Sequence, residues 1–394
     1  MSLQVHNTLT HRLDPFEPKE PGHVRMYVCG PSVYDDSHLG HARSYVVYDA
    51  MKRYFLARGM RVTHVQNFTD VEENIAARAK EHGMAPLAWA ERLIGRFHED
   101  MDALRVLRAD HYPRVSEHIA DIQRLVDELA TKGRAYTYDC GCTAEKTVCD
   151  VYFDAEATPD YGALIGTSVE ELAVELPMRE HGERRHPLDF ALWKSRDDWG
   201  VTWPSPWGEG RPGWHVECAA MSTKYLGHEF DIHGGGLDLV FPHHENERVI
   251  AEAASGGRYC RYYLHNGFVT VGAEKMSKSL GNFSTVRDLL AKHDAEVLRT
   301  LLLSRHYRAP LNYEESEIRR AEARVAAWRA GAAKAAAEGD CPEEVAFWAA
   351  LDDDFSFDRA LDAVDRAFAD GTATLPFLRQ AARALGIMWM LDDA

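Results

Sequence analysis

A short apolar run, Met26-Tyr27-Val28, leads through Cys29-Gly30-Pro31 to His38-Leu39-Gly40-His41 and on into a long helical pattern. This junction constrains the fold more than any other stretch. A strand that ends at a glycine and hands over to a helix sets backbone N–H groups and the positive end of a helix beside one another, with no Cβ to keep a ligand away. Far downstream stands Lys275-Met276-Ser277-Lys278-Ser279, followed by Leu280-Gly281-Asn282. Two lysines spaced by Met-Ser on a loop can settle on a triphosphate while charge builds in a transition state. Alone, His-x-x-His fits a surface pair or half of a metal site, and Lys-x-x-Lys fits a solvated face. In this order, with Gly30-Pro31 before the first, the two strings predict a nucleotide triphosphate site.

The surrounding pattern supplies a scaffold for such a site. Arg25 to Val28 and Arg61 to Asn67 read as strands, and Ser44 to Arg58, Ala85 to Leu107 and Val115 to Lys132 read as helices. This alternation argues for α/β architecture with a parallel, doubly wound, Rossmann-like sheet. From about Tyr112 to Trp203 short strands and polar turns interrupt it, as an insertion would, and the sheet resumes at Phe230 to His233 and Tyr262 to Thr270. After Tyr313 the composition shifts to Ala, Glu and Arg at helical spacing, which suggests a bundle. With 394 residues, 45% of them hydrophobic, the chain can bury a large core and divide into about two to four domains.

No apolar run reaches membrane-spanning length, and the N-terminal residues lack the regions of a signal peptide. The expected location is the cytoplasm, with no membrane partner. Seven scattered cysteines make no disulfide framework and should stay reduced.

Sulfur directs the reading of the site. Cys29 belongs to the strand that feeds the His-Leu-Gly-His turn, so its thiol is expected beside the nucleotide pocket. Cys218 follows Gly213-Trp214-His215-Val216-Glu217, and a further run reads Phe241-Pro242-His243-His244-Glu245-Asn246-Glu247. Two thiolates, an imidazole and a carboxylate can complete a tetrahedral zinc shell, and the spacing of His243 and Glu247 puts both on one face of a helical turn. A zinc that only staples the fold is the lesser reading. Cys140-Gly141-Cys142 and Cys149 could hold a second metal if His111 or His118 folded back as a fourth ligand; the plainer reading is three reduced cysteines on a hairpin.

On these residues the chain resembles the cysteinyl-tRNA synthetases, members of the class I aminoacyl-tRNA synthetases, from about its first residues to Tyr313. Further strings that carry the resemblance are Trp203 to Gly208, Asp231-Ile232-His233-Gly234-Gly235-Gly236 and Pro310-Leu311-Asn312-Tyr313. The resemblance implies that His38, His41, Lys275 and Lys278 are catalytic, that Gly40 and Asp238 join His38, His41 and Lys278 in binding ATP with Mg²⁺, and that Gly30, Thr69, Trp214 and His233 contact substrate. It implies one zinc per chain on Cys29, Cys218, His243 and Glu247, with the thiolate of L-cysteine bound to the metal.

A metal suits the task, because a hydrophobic pocket separates near-isosteres such as serine and cysteine by only about 1–3 kcal/mol. A soft thiolate binds zinc far more readily than a hydroxyl does. From the residues alone, Thr69 could instead cap a helix and Trp214 pack in a core. Val71-Glu72-Glu73 departs from the family, which more often carries paired aspartates there.

The domain reading follows: a first catalytic half over 1–111, a connective insertion over 112–203, a second half with the zinc site over 204–272, the lysine loop and stem-contact region over 273–312, and a helical bundle over 313–394. The family usually continues into an anticodon-reading domain, which is expected to be absent here. That leaves two acceptors open, tRNA(Cys) or a small amine such as the amino sugar used by the mycothiol-pathway cysteine ligases. The site strings favour tRNA and the length favours the amine; an inactive cysteine-binding paralogue is a third reading. A net charge of −17 requires any tRNA contact to be local, and Arg299, Arg305, Arg308, Arg319 and Arg320 form the candidate basic track, or else ordinary helix surface. A monomer is expected.

Overall fold

The structure is a computed structural model that describes residues 2–139, 149–168, 171, 184–195, 200–272, 274–275 and 284–391. Lys278, Cys140 and Cys142 lie outside the described residues. In chain order the elements begin with β1 (Gln4–Asn7), β2 (Arg12–Pro15), β3 (His23–Val28), α1 (Leu39–Ala57), β4 (Arg61–Gln66), α2 (Glu73–Glu81) and α3 (Pro86–Ala103). Next come α4 (Ile119–Thr131), β5 (Ala135–Asp139), β6 (Cys149–Phe153), β7 (Phe190–Lys194), β8 (Arg211–Pro212), α5 (Trp214–Leu226) and β9 (Phe230–Gly236). Then follow α6 (Glu245–Ser255), β10 (Cys260–Asn266), β11 (Val269–Val271), β12 (Glu274–Lys275), α7 (Val286–Leu290), α8 (Ala295–Leu303) and β13 (Leu311–Asn312). The bundle holds α9 (Glu315–Ala332), α10 (Glu343–Asp352), α11 (Phe357–Ala369) and α12 (Leu375–Leu385).

Four parallel strands in the order β10-β9-β3-β4 form the central sheet. The period-2 alternation of β3 shows how the sequence builds two cores around it. Val24, Met26 and Val28 enter the cluster shared with α1, α3 and the bundle, whereas Tyr27 and Cys29 enter the cluster shared with α4, α5 and α6. Both faces are covered, as a parallel sheet requires. Of the antiparallel sheet β5-β6-β7-β8, β5, β6 and β7 fall within 112–203, where short strands are expected, whereas β8 lies beyond it.

α1 starts at Leu39 rather than Ser44 because His38 and His41 cap it with their own side chains, each imidazole accepting from the other residue's backbone N–H. Thr270 does not continue the β10 strand: the run breaks at Gly267-Phe268 and Val269–Val271 pairs instead with β12 and β13. Lys275 therefore lies on a strand rather than on the loop expected for it.

The basic track is corrected at Arg299. Its side chain is fully buried, donates to Asp49 of α1, and gives further hydrogen bonds to the carbonyls of Leu385 (2.9 Å) and Leu104 (3.0 Å). α8 is buried from Glu296 through Leu303, so a charge on it must be paired inside the protein. Arg305 and Arg320 both pair with Glu317, Arg308 pairs with Asp354 and Arg319 with Glu315.

Candidate active site

The strand order reverses between β3, which crosses over through α1 to β4, and β9, which crosses over through α6 to β10. In open α/β sheets the crevice at such a switch point, at the carboxyl ends of the strands, holds the ligand. A cavity of about 460 Å³ lies there, lined by Cys29 and Gly30 after β3, Gly236 and Asp238 after β9, and Asn266 to Val269 after β10. His38, Gly40 and His41 at the start of α1 line it too, as do Thr69, Trp214, Cys218 and His243.

The His-Leu-Gly-His turn is rigid and electropositive. The two imidazoles stack with centroids 3.7 Å apart and planes 9° from parallel, and the first turn of α1 carries no acidic residue. The positive end of a 19-residue helix thus faces the cavity, which suits a phosphate, with Asp238 also in the lining. Gly40 leaves room for the stack, since a Cβ there would come within 2.8 Å of the His38 ring. Gly30 is required by a closer approach: its Cβ would lie 1.6 Å from the Asn67 carbonyl oxygen. The Gly30 N–H donates to Asn67 Oδ1 at 2.8 Å, and Asn67 Nδ2 in turn reaches Thr69 Oγ1 at 3.4 Å.

At the floor of the cavity, which Cys29, Cys218 and His243 line, the four expected ligands converge from three segments, with Glu247 beneath the lining. Cys29 Sγ lies 3.9 Å from Cys218 Sγ and 3.4 Å from Glu247 Oε1, and His243 Nε2 lies 3.1 Å from the same oxygen. A tetrahedron built on zinc–sulfur bonds of about 2.3 Å has edges of about 3.8 Å, and one built on zinc–nitrogen and zinc–oxygen bonds of about 2.0–2.1 Å has edges near 3.3 Å. The donor spacing fits a zinc ion. All four residues are buried. Cys29, His233, His244 and Glu247 form an overlapping cluster, but His233 is taken up by the far oxygen of Glu247 and His244 by His265.

The charges of this cluster are interdependent. The Cys29 thiol directed at Cys218 lowers the Cys218 pKa to about 6, while burial, Cys218 and Glu247 push Cys29 well above its ordinary value. Burial opposes ionisation of Glu247, yet His233 and His243 hold it below the usual carboxylate range. Burial likewise opposes protonation of His243, but the Glu247 charge raises it. A cation among these groups would favour both thiolates.

Around the ligands stands a supporting layer. His233 Nε2 is 2.9 Å from Glu247 Oε2, and the Tyr259 hydroxyl donates to that oxygen at 3.2 Å. His215 Nδ1 lies 3.0 Å from His243 Nδ1, and burial keeps His215 far below its ordinary pKa and hence neutral. A neutral acceptor there fixes the His243 proton on Nδ1 and leaves Nε2 for a metal. Trp214 stacks on His243 at 4.1 Å and 16° and forms a wall of the cavity.

Of the residues expected to contact substrate, Gly30, Thr69 and Trp214 reach the cavity, whereas His233 sits behind Glu247. His215 and Tyr259 were not singled out in the sequence; the signal for His215 was its place three residues before Cys218 on α5, one turn away. Cys149 is half-buried, and His118 is already engaged by the Arg114 carbonyl (2.7 Å) and the Tyr225 hydroxyl (3.2 Å).

Residues 15–323 match the family model described as tRNA synthetases class I (C) catalytic domain. Cysteine--tRNA ligase of Pelotomaculum thermopropionicum is 53% identical over 79% of this chain and 63% of its own length. The ligases of the same name from Alkalilimnicola ehrlichii and Halorhodospira halophila are 49% and 47% identical, over 91% and 98% of this chain and 77% and 82% of theirs. The chain thus spans from under two thirds to about four fifths of the length of these relatives. In fold it resembles a Mycobacterium tuberculosis methionyl-tRNA synthetase solved with methionyl-adenylate, with a TM-score of 0.67 at 16% identity over 92% of this chain and 88% of that one. A leucyl-tRNA synthetase–tRNA complex of Agrobacterium radiobacter gives 0.68 at 14% identity over 94% and 83%.

Proposed function

The chain belongs to the class I tRNA synthetases of the cysteine type, and from that premise we propose that it activates L-cysteine with ATP and transfers the cysteinyl group to tRNA(Cys). The observation that carries this reading is the convergence of Cys29, Cys218, His243 and Glu247 at the floor of the cavity whose rim is His38 and His41. Zinc on those four residues would bind a soft thiolate and discriminate against the hydroxyl of serine.

The residues divide the work. Trp214 and Thr69 bound the side-chain pocket, and the Gly30 turn lets the amino acid approach the end of β3. His38, His41 and the N-terminus of α1 receive the triphosphate, with Mg²⁺ accompanying ATP, while Asp238 and the end of β10 border the nucleoside end. The cysteine carboxylate attacks the α-phosphorus, pyrophosphate leaves, and the lysines of the Lys275 to Ser279 string stabilise charge on the phosphoryl oxygens. A tRNA 3′-terminal hydroxyl then attacks the adenylate carbonyl and releases AMP. No protein nucleophile is involved.

The test is transfer: protein, ATP and labelled cysteine are incubated with total tRNA or with a glucosamine-type amine. Label on tRNA supports the proposal; label on the amine with none on tRNA overturns the acceptor.

A further inference from the structure

Residues downstream of the lysine string are tied to the His38 turn by a closed ring of contacts. Val286 N donates to Ser37 O at 2.8 Å and Leu39 N donates to Ser284 O at 3.3 Å, so that His38 and Thr285 pair as an antiparallel bridge. α7 begins at once, and its Arg287 turns away from the bridge toward α3. There Nη2 donates to the Arg96 carbonyl (3.0 Å) and to Glu99 Oε2 (2.6 Å), and Nε lies 3.1 Å from Asp100 Oδ1. Arg96 in turn grips Asp36 with both arms of its guanidinium, Nε on Oδ1 and Nη2 on Oδ2 at 2.6 Å. Asp36 stands two residues before His38, which closes the ring.

Nothing local demands this arrangement. The Arg287 contacts with Arg96 and Glu99 span 191 and 188 positions of sequence, and the Arg96 contact with Asp36 spans 60. The ring also carries a cost: the Asp100 carboxyl is 2% exposed, and its Oδ2 has no hydrogen-bond partner among the described residues. A buried, half-satisfied carboxyl opposes folding. What the ring achieves is geometric. Two backbone hydrogen bonds hold the returning segment to the turn, and Arg287 fixes the direction in which it leaves by donating from Nη2 to two acceptors of α3 while its guanidinium lies against the Asp100 carboxylate. Charge stabilisation on a phosphoryl group tolerates displacements of well under about 1 Å before losing roughly two orders of magnitude in rate.

We propose that Arg287 is a positioning residue for adenylate formation, holding the segment that leaves the lysine string in register with the His38 turn through α3, Arg96 and Asp36. This rests on the activity proposed above. It touches neither cysteine nor the zinc ligands, so its loss separates rate from binding.

Arg287→Lys, Arg287→Ala and Arg96→Lys are compared with the unmutated chain in cysteine-dependent ATP–pyrophosphate exchange, alongside zinc content and thermal unfolding. The expected result is a kcat lower by about tenfold or more in Arg287→Ala and by a few-fold or more in the two lysine variants, with KM for cysteine within about twofold and zinc content unchanged. Should Arg287→Ala not fold, Arg287→Lys decides, because it keeps the charge and removes the fork. A kcat within twofold of the unmutated chain in both Arg287 variants, or a KM for cysteine that rises in step with the loss of kcat, overturns the assignment. Absence of exchange in the unmutated chain would instead overturn both this inference and the activity on which it rests.

Discussion

His233 Nε2 lies 2.9 Å from Glu247 Oε2 while His243 Nε2 lies 3.1 Å from Oε1 of the same carboxylate, so the two histidines hold Glu247 from opposite sides. One faces the cavity and the other the sheet. The inner histidine therefore acts on the metal through its ligand, as outer partners of metal sites do. His233→Ala is expected to weaken zinc binding by about 10- to 100-fold, read by competition with a chelating dye. The loss of cysteine activation should be recovered by excess zinc, which would not happen if His233 bound the substrate itself.

Cys218→Ser exchanges a soft ligand for a hard one at the centre of the cluster. The variant should lose tightly bound zinc and with it cysteine-dependent pyrophosphate exchange, while binding of ATP, read by equilibrium dialysis, stays near that of the unmutated chain. A variant that is zinc-free yet active would separate the metal from the chemistry.

Arg299 and Asp49 form a fully buried pair that joins α8 to α1, and Arg299 also donates twice to the Leu385 carbonyl at the end of α12. Arg299→Ala leaves Asp49 without that partner and the Leu385 carbonyl unsatisfied. Asp49 keeps Arg53 and the Leu107 N–H, each at 2.8 Å, so the cost should fall below the ~3–5 kcal/mol of an uncompensated buried charge while still lowering the denaturant midpoint. A stability unchanged within about 1 kcal/mol would mean that the interior rearranges to solvate Asp49.

Burial lowers the pKa of His64 and of His265 to about 3. Both nitrogens of His64 are without hydrogen-bond partners among the described residues. A folded-state pKa depressed below the unfolded value of about 6.5 means that the unfolded chain binds more protons between the two values, so these groups make stability fall as pH drops from about 6.5 toward 3. Above pH 6.5 they contribute no slope. Asp100, raised chiefly by burial to about 6, has the opposite sign over roughly pH 4 to 6, where it makes stability fall as pH rises. His64→Leu should flatten the acid side of the stability profile, and Asp100→Asn should steepen it; thermal unfolding midpoints between pH 4 and 8 check both.

Much of the fold and the ligand set was legible in sequence for identifiable reasons. β3 alternates between two cores, Gly30 precedes a proline and a capped helix, and His243 and Glu247 are one turn apart, so local rules place these; that Cys29 and Cys218 join them follows only from the family resemblance. What escaped was long-range. Arg299 reads as surface basic charge until α8 is seen to be buried from Glu296 to Leu303, and the Arg287 to Asp36 ring joins segments with no local relationship. The family resemblance implies that His233 contacts substrate. In β9, however, Tyr48 fills the space where a Cβ on Gly234 would come within 2.4 Å of its ring, and the imidazole of His233 turns to Glu247 instead.

The account stands most directly on whether a metal at Cys29, Cys218, His243 and Glu247 selects a thiol. The decisive measurement is ATP–pyrophosphate exchange with cysteine and with serine, on zinc-replete protein and on protein stripped by chelation and then reconstituted. The prediction is about one zinc per chain, exchange with cysteine that vanishes on stripping and returns with zinc, and a preference for cysteine over serine well beyond the ~10- to 200-fold that a pocket achieves by shape alone. Exchange undiminished in stripped protein, or serine activated within that range of cysteine, would contradict it.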